Sequence, residues 1–146
     1  MEKQKLIIGI DTGVNTGIAA WNASTKQIQF IHSTKIHKAL RLIESLVPYF
    51  DLFIRVEDAR MRKWFGNDSN AKKQGAGSVK RDGKIWEDYL TDLKKQEMIC
   101  DFKMIHPIKG TTKIDARQFK IITGHMGATN EHSRDAMMMV YQLQNI

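Results

Sequence analysis

Asp11 closes the apolar run Leu6-Ile7-Ile8-Gly9-Ile10, and Glu57 closes a second run, Leu52-Phe53-Ile54-Arg55-Val56. A carboxylate at the end of a buried strand has two ordinary uses. It begins a solvated turn, or it meets the ligands that gather outside strand ends in open α/β sheets. Two such acids, each after a strongly apolar strand, favour the second use if the strands are neighbours. A third group is His132-Ser133-Arg134-Asp135-Ala136. Residues three apart on a helix share a face, so His132 and Asp135 can address one ion, as can Glu131 and Asp135 four apart. The same stretch reads equally as a helix start, with Asn130 as N-cap and Glu131 in the first turn. Asp135 borders the apolar Ala136–Val140 segment, and a carboxylate beside a buried helix face is usually paired or bound to a metal.

Carboxylate oxygens with one imidazole suit Mg²⁺ or Mn²⁺. Two such ions, roughly 4 Å apart, would activate a water and stabilise the leaving oxygen in phosphodiester hydrolysis. Zinc is disfavoured because the sequence has neither CxxC nor HxxxH. The phosphate-binding motif GxxxxGK[ST] is absent too. Asp11-Thr12-Gly13 with Thr16-Gly17 could instead cradle a nucleotide phosphate, which leaves a second use open for the first turn.

These residues need elements to hold them. Leu6–Asp11 is continuously apolar, as expected of a central strand covered on both faces. Ile18–Trp21 and Gln27–Ser33 follow after turn-forming residues, so an antiparallel meander is expected. Helical spacing of Ile36, Leu40, Ile43 and Leu46 predicts a helix over Lys35–Tyr49, ended near Pro48. Leu52–Glu57 is a fourth strand. Residues 58–78 hold Gly66, Gly75 and Gly77 without a clear period and read as a mobile basic loop. A helix to Gln96, starting at Val79 or Lys84, carries Ile85, Trp86, Tyr89, Leu90 and Leu93 on one stripe. Phe102–His106 is a fifth strand, and Asp115–Ile122 and Glu131–Gln144 are the last helices. The order implies an α/β layer fold, a five-stranded mixed sheet of meander plus parallel strands flanked by helices. The apolar faces of the Lys35 and Ile85 helices are candidate dimer patches.

The 146 residues fit one domain, 1–146. No apolar run approaches the roughly 20 residues of a membrane span, and Met1–Lys5 is too short for a signal peptide. One cysteine, Cys100, permits no internal disulfide, which points to the cytoplasm; beside Ile99 it reads as core filler. The net charge is +7. Between Ala59 and Lys84, eight cations less two acids leave +6 of it. The cations are Arg60, Arg62, Lys63, Lys72, Lys73, Lys80, Arg81 and Lys84. So local an excess suggests a polyanion partner, and Trp64 and Phe65 within it could stack on bases or anchor the segment to the body.

Gly9-Ile10-Asp11-Thr12-Gly13 with Thr16-Gly17 resembles the opening motif of RuvC-type Holliday junction resolvases, with Thr12 where proline is usual. Val56-Glu57 resembles the family's second acidic motif, and His132-Ser133-Arg134-Asp135-Ala136 its closing one. Gln74-Gly75-Ala76-Gly77 and the stretch from Pro107 to Gln118 resemble, more loosely, the glycine-bearing and lysine-bearing segments between them. The motifs span nearly the whole chain. A departure is Arg60, at a position where the family tends to carry an aromatic residue.

The resemblance implies a ribonuclease H-like fold and a metal site of Asp11, Glu57, His132 and Asp135 holding two Mg²⁺ or Mn²⁺ ions. Lys109 and Lys113 would assist at the phosphate. It further implies a homodimer that nicks four-way DNA junctions symmetrically, leaving 5′-phosphate and 3′-hydroxyl ends, with the basic segment binding the branched DNA. Two alternatives keep the charge pattern: an RNA-directed nuclease of the same fold, acting on a hybrid or a ribosomal RNA precursor, and a non-catalytic nucleic-acid-binding module.

Overall fold

A computed structural model of the chain describes residues 2–61, 70–107 and 114–146, and for 70–76 the backbone only. Its strands are β1 (Gln4–Asp11), β2 (Thr16–Asn22), β3 (Gln27–Thr34), β4 (Phe50–Glu57) and β5 (Asp101–Ile105). Its helices are α1 (Ile36–Leu46), α2 (Asn70–Lys95), α3 (Ala116–Thr123) and α4 (Glu131–Met138), and a 3₁₀ turn covers Ala59–Met61.

The strands form one mixed sheet in the order β3-β2-β1-β4-β5. β1, β2 and β3 are the expected antiparallel meander. β4 and β5 run parallel to β1, each reached by a helical crossover, as parallel pairing requires. β1 lies in the middle, and that is why its apolar run does not alternate: Leu6, Ile7, Ile8 and Ile10 are all fully buried. Each such side chain contributes about 1.5–3 kcal/mol of burial free energy.

Strand alternation sends Ile8, Ile10, Ile54 and Val56 to one face, where Ala39 and Ile43 of α1 and Trp86 and Leu90 of α2 cover them. Ile7, Ala19, Trp21 and Ile105 point to the other face and meet Phe119 of α3 and Ala136 and Met137 of α4. The sheet is thus sandwiched between two helical layers. Ala39 and Ile43 of the Lys35 helix and Trp86 and Leu90 of the Ile85 helix are buried in this sandwich, while Ile85 itself stays partly exposed.

Three expectations need correction. The loop over 58–78 is replaced, from Asn70 onward, by the first turns of a 26-residue helix. Ala71, Lys72, Lys73, Gln74 and Ala76 are good helix formers, and they outweigh Gly75 and Gly77, which cost only about 1 kcal/mol each. Residues 62–69 of that stretch lie outside the described residues. The final helix stops at Met138 instead of Gln144; the chain then turns, Gln142 taking φ 63°, which brings Tyr141 edge-on to Trp21 at 5.1 Å. Finally, Cys100 is exposed and Ile85 is 37% exposed, because Ile99 and Trp86 take the inward positions beside them.

Among the described residues no helix is long and apolar enough to cross a membrane.

Candidate metal centre

Asp11 and Glu57 are register partners, the last residues of β1 and β4. Neighbouring strands lie about 4.8 Å apart, so the two carboxylates leave the sheet side by side. Their direction follows from the core. Ile10 and Val56 face α1 and α2, so the next residue on each strand faces the α4 side. Thr12 donates its hydroxyl to the Glu57 carbonyl at 3.2 Å and fixes the two strand ends to one another.

The third contributor arrives on α4. Asn130 caps the helix: its side chain accepts from the Ser133 amide at 2.9 Å, while the Ser133 hydroxyl accepts from the Asn130 amide at 3.0 Å. This closed box, worth about 1 kcal/mol, sets where the first turn begins. Glycines set how near the helix lies. A Cβ on Gly17 would overlap the His132 carbonyl, and one on Gly9 would overlap the Ala136 carbonyl. Only glycine at both places lets the α4 backbone rest on β1 and β2. The result is that Nδ1 of His132 stands 3.1 Å from Oδ2 of Asp11. The Asp11 side chain is 14% exposed and that of His132 43%. Asp135, one turn on, is half-buried.

The donor set is two carboxylates at the ends of two inner strands and one imidazole, with a further half-buried carboxylate one helical turn away. That chemistry fits Mg²⁺ or Mn²⁺. Among the described residues, however, no three His, Cys, Asp or Glu side chains already form a cage for an ion. The structure sets Asp11 beside Glu57 by strand register and in contact with His132, with Asp135 one turn farther along α4; Lys109 and Lys113 lie outside the described residues.

The basic segment divides. Arg62, Lys63, Trp64 and Phe65 lie outside the described residues. Lys72 and Lys73 sit in the first turns of α2. Lys80, Arg81 and Lys84 are exposed farther along the helix, Arg81 3.6 Å from Asp82 and Lys84 2.9 Å from Asp88. Arg60 is paired within the protein and partly buried. Its guanidinium contacts Asp58 at 2.6 Å and Glu87 at 3.1 Å.

Asp58 is the residue that sequence reasoning missed. It is 2% exposed, directly follows Glu57 and points to the opposite side of the sheet. Burial by itself would push its carboxyl pKa up; hydrogen bonds and charge from Arg60 outweigh this and hold it below the usual carboxylate value. Hydrogen bonding to Asp58 raises the Arg60 pKa in turn. The available signal was an acid and an arginine two residues apart, where a turn brings their side chains together.

No protein-family model matches the chain, and no curated protein matches it.

Proposed function

We propose that the protein is a divalent-metal-dependent nuclease of the ribonuclease H-like type that resolves four-way DNA junctions. The observation that carries the reading is the in-register pairing of Asp11 with Glu57, with His132 brought to Asp11 by the glycine-seated helix α4. A central strand that ends in an acid, flanked by an antiparallel meander and by a parallel strand ending in a second acid, is the arrangement the resemblance to RuvC-type resolvases implies.

Asp11, Glu57, His132 and Asp135 would hold the metal. When bound, two Mg²⁺ or Mn²⁺ ions supply an activated water and neutralise charge at the scissile phosphate. The protein's own part is positional. The two strand ends fix the carboxylates, the capped start of α4 fixes the imidazole, and exposed Lys80, Arg81 and Lys84 offer charge to the phosphate backbone. A homodimer would place two such centres on one junction. Cleavage there yields 5′-phosphate and 3′-hydroxyl ends.

The reading is tested by offering a synthetic four-way junction, a linear duplex and an RNA–DNA hybrid with Mg²⁺. Paired symmetric nicks in the junction are expected. Cleavage of the hybrid alone would move the protein to RNA substrates, and binding without metal-dependent cleavage of any substrate would make it a binding module.

A further inference from the structure

Glu57 leaves β4 toward α4, and the very next side chain leaves it toward α2. There Asp58, almost fully buried, grips Arg60: Nε of Arg60 donates to both carboxylate oxygens at 2.8 and 3.1 Å, and its terminal nitrogen reaches Oδ2 at 2.6 Å. The same arginine donates to Glu87 of α2 at 3.1 Å. The Asp58 amide donates to the Ile105 carbonyl at 2.8 Å, extending the pairing with β5 one residue past the metal-facing acid.

The helix is shaped to admit this cluster. A Cβ on Gly83 would stand 2.7 Å from Nε of Arg60 and 2.9 Å from Oδ1 of Asp58. Any other residue at 83 would press on the ion pair. Glycine in a helix interior costs about 1 kcal/mol relative to alanine, and here close approach is what it permits.

We infer that the Asp58–Arg60–Glu87 cluster, seated on Gly83, is a positioning device for Glu57 that ties the metal-holding strand end to the basic helix α2. The inference rests on the metal-site reading above. Asp58 and Arg60 lie on the α2 side of the sheet, away from the Asp11–His132 pair, and act through the backbone of Glu57, which is held by Thr12 on one side and by this cluster on the other. An acid at a frayed strand end would share an ion less well, since outer groups that orient a ligand typically govern about tenfold or more in metal affinity. α2 also carries Lys80, Arg81 and Lys84 around Gly83, so the surface offered to phosphates and the metal-facing acid are joined through one arginine.

The test compares wild type with Arg60→Lys, which keeps the charge but loses the planar fork, and with Gly83→Ala, which leaves every charge in place. Mn²⁺ binding is followed by electron paramagnetic resonance, junction cleavage is titrated with Mn²⁺, and circular dichroism monitors folding. Both variants are expected to remain helical, to need about tenfold more Mn²⁺ for half-saturation, and to regain cleavage at high Mn²⁺. Should Arg60→Lys not fold, Gly83→Ala carries the comparison, because its added methyl favours the helix while displacing the pair. A wild type that binds Mn²⁺ beside folded variants that bind it equally well overturns the positioning role and leaves the metal site standing. A wild type that binds no Mn²⁺ overturns the metal-site reading and this inference with it.

Discussion

Asp11 and Glu57 stand opposite one another at the ends of adjacent parallel strands, although they belong to segments far apart in sequence. Parallel neighbours present equivalent positions at the same end of the sheet, so an acid at the last position of each becomes a pair. One residue more or less before either acid would turn its carboxylate to the opposite layer. The spacing from apolar run to acid is therefore as much a part of the site as the acids are.

The close seat of α4 gives the first prediction. Gly17→Ala and Gly9→Ala each drive a methyl into a helix carbonyl, and each is expected to cost about 2–3 kcal/mol. For a domain of this size the melting temperature should fall by roughly 5–12 °C. Thermal unfolding by circular dichroism is the check, and an unchanged midpoint would mean that α4 does not lie where described.

Gly77 makes the opposite case. It lies within α2, is exposed, and a Cβ there meets nothing within 4 Å. Gly77→Ala should stabilise the protein by about 0.5–1 kcal/mol through helix propensity and a less disordered unfolded chain. Chemical denaturation would report a higher midpoint at constant slope.

Lys80 and Arg81 project from the same helix into solvent. Their replacement by alanine should weaken junction binding evenly across sequences. It should also flatten the dependence of log K on log salt, by about 0.9 for each phosphate that is no longer neutralised. An unchanged slope would show that α2 does not meet the nucleic acid.

Asp58 predicts acid behaviour. Its carboxyl pKa is held below the ordinary value in the folded protein. The stabilisation is therefore complete above the unfolded carboxylate pKa and is lost as pH falls through the lower folded one. Asp58→Asn should reduce stability at neutral pH and make the melting temperature less sensitive to acid than in the wild type. Parallel melting curves from pH 7 to pH 3 test this; two curves with the same slope would contradict it.

Much of the fold was legible because apolar patterning carries it. Leu6–Asp11 declared a central strand by its lack of alternation, and the turn residues after Gly13 and Asn22 declared the meander. The start of α4 was visible in Asn130. What could not be read were the three-dimensional choices. Gly17 looks like a turn glycine and Gly9 like one more strand residue, yet both sit in strands and serve to admit a helix, which no local pattern shows. Gly75 and Gly77 look like breakers, yet the helix runs through them, because its later turns are anchored by Trp86 and Leu90. Arg60 reads in sequence as one more cation offered to DNA; its commitment to Asp58 and Glu87 depends on where α2 lies. For the site, the acids and His132 stood out by their position after apolar runs and at a helix start, while the cluster behind Glu57 depends on long-range packing and gave no comparable signal.

The central claim is that Asp11 and Glu57 hold a catalytic metal between them. The most direct test is the single-turnover rate of Mg²⁺-dependent junction cleavage by Asp11→Asn beside wild type, with junction affinity measured on the same samples. The amide is nearly isosteric but removes the charge proposed to hold the metal, while the exposed cations of α2 stay in place. Cleavage is expected to fall to background while affinity is retained. Cleavage by Asp11→Asn at the wild-type rate would contradict the claim.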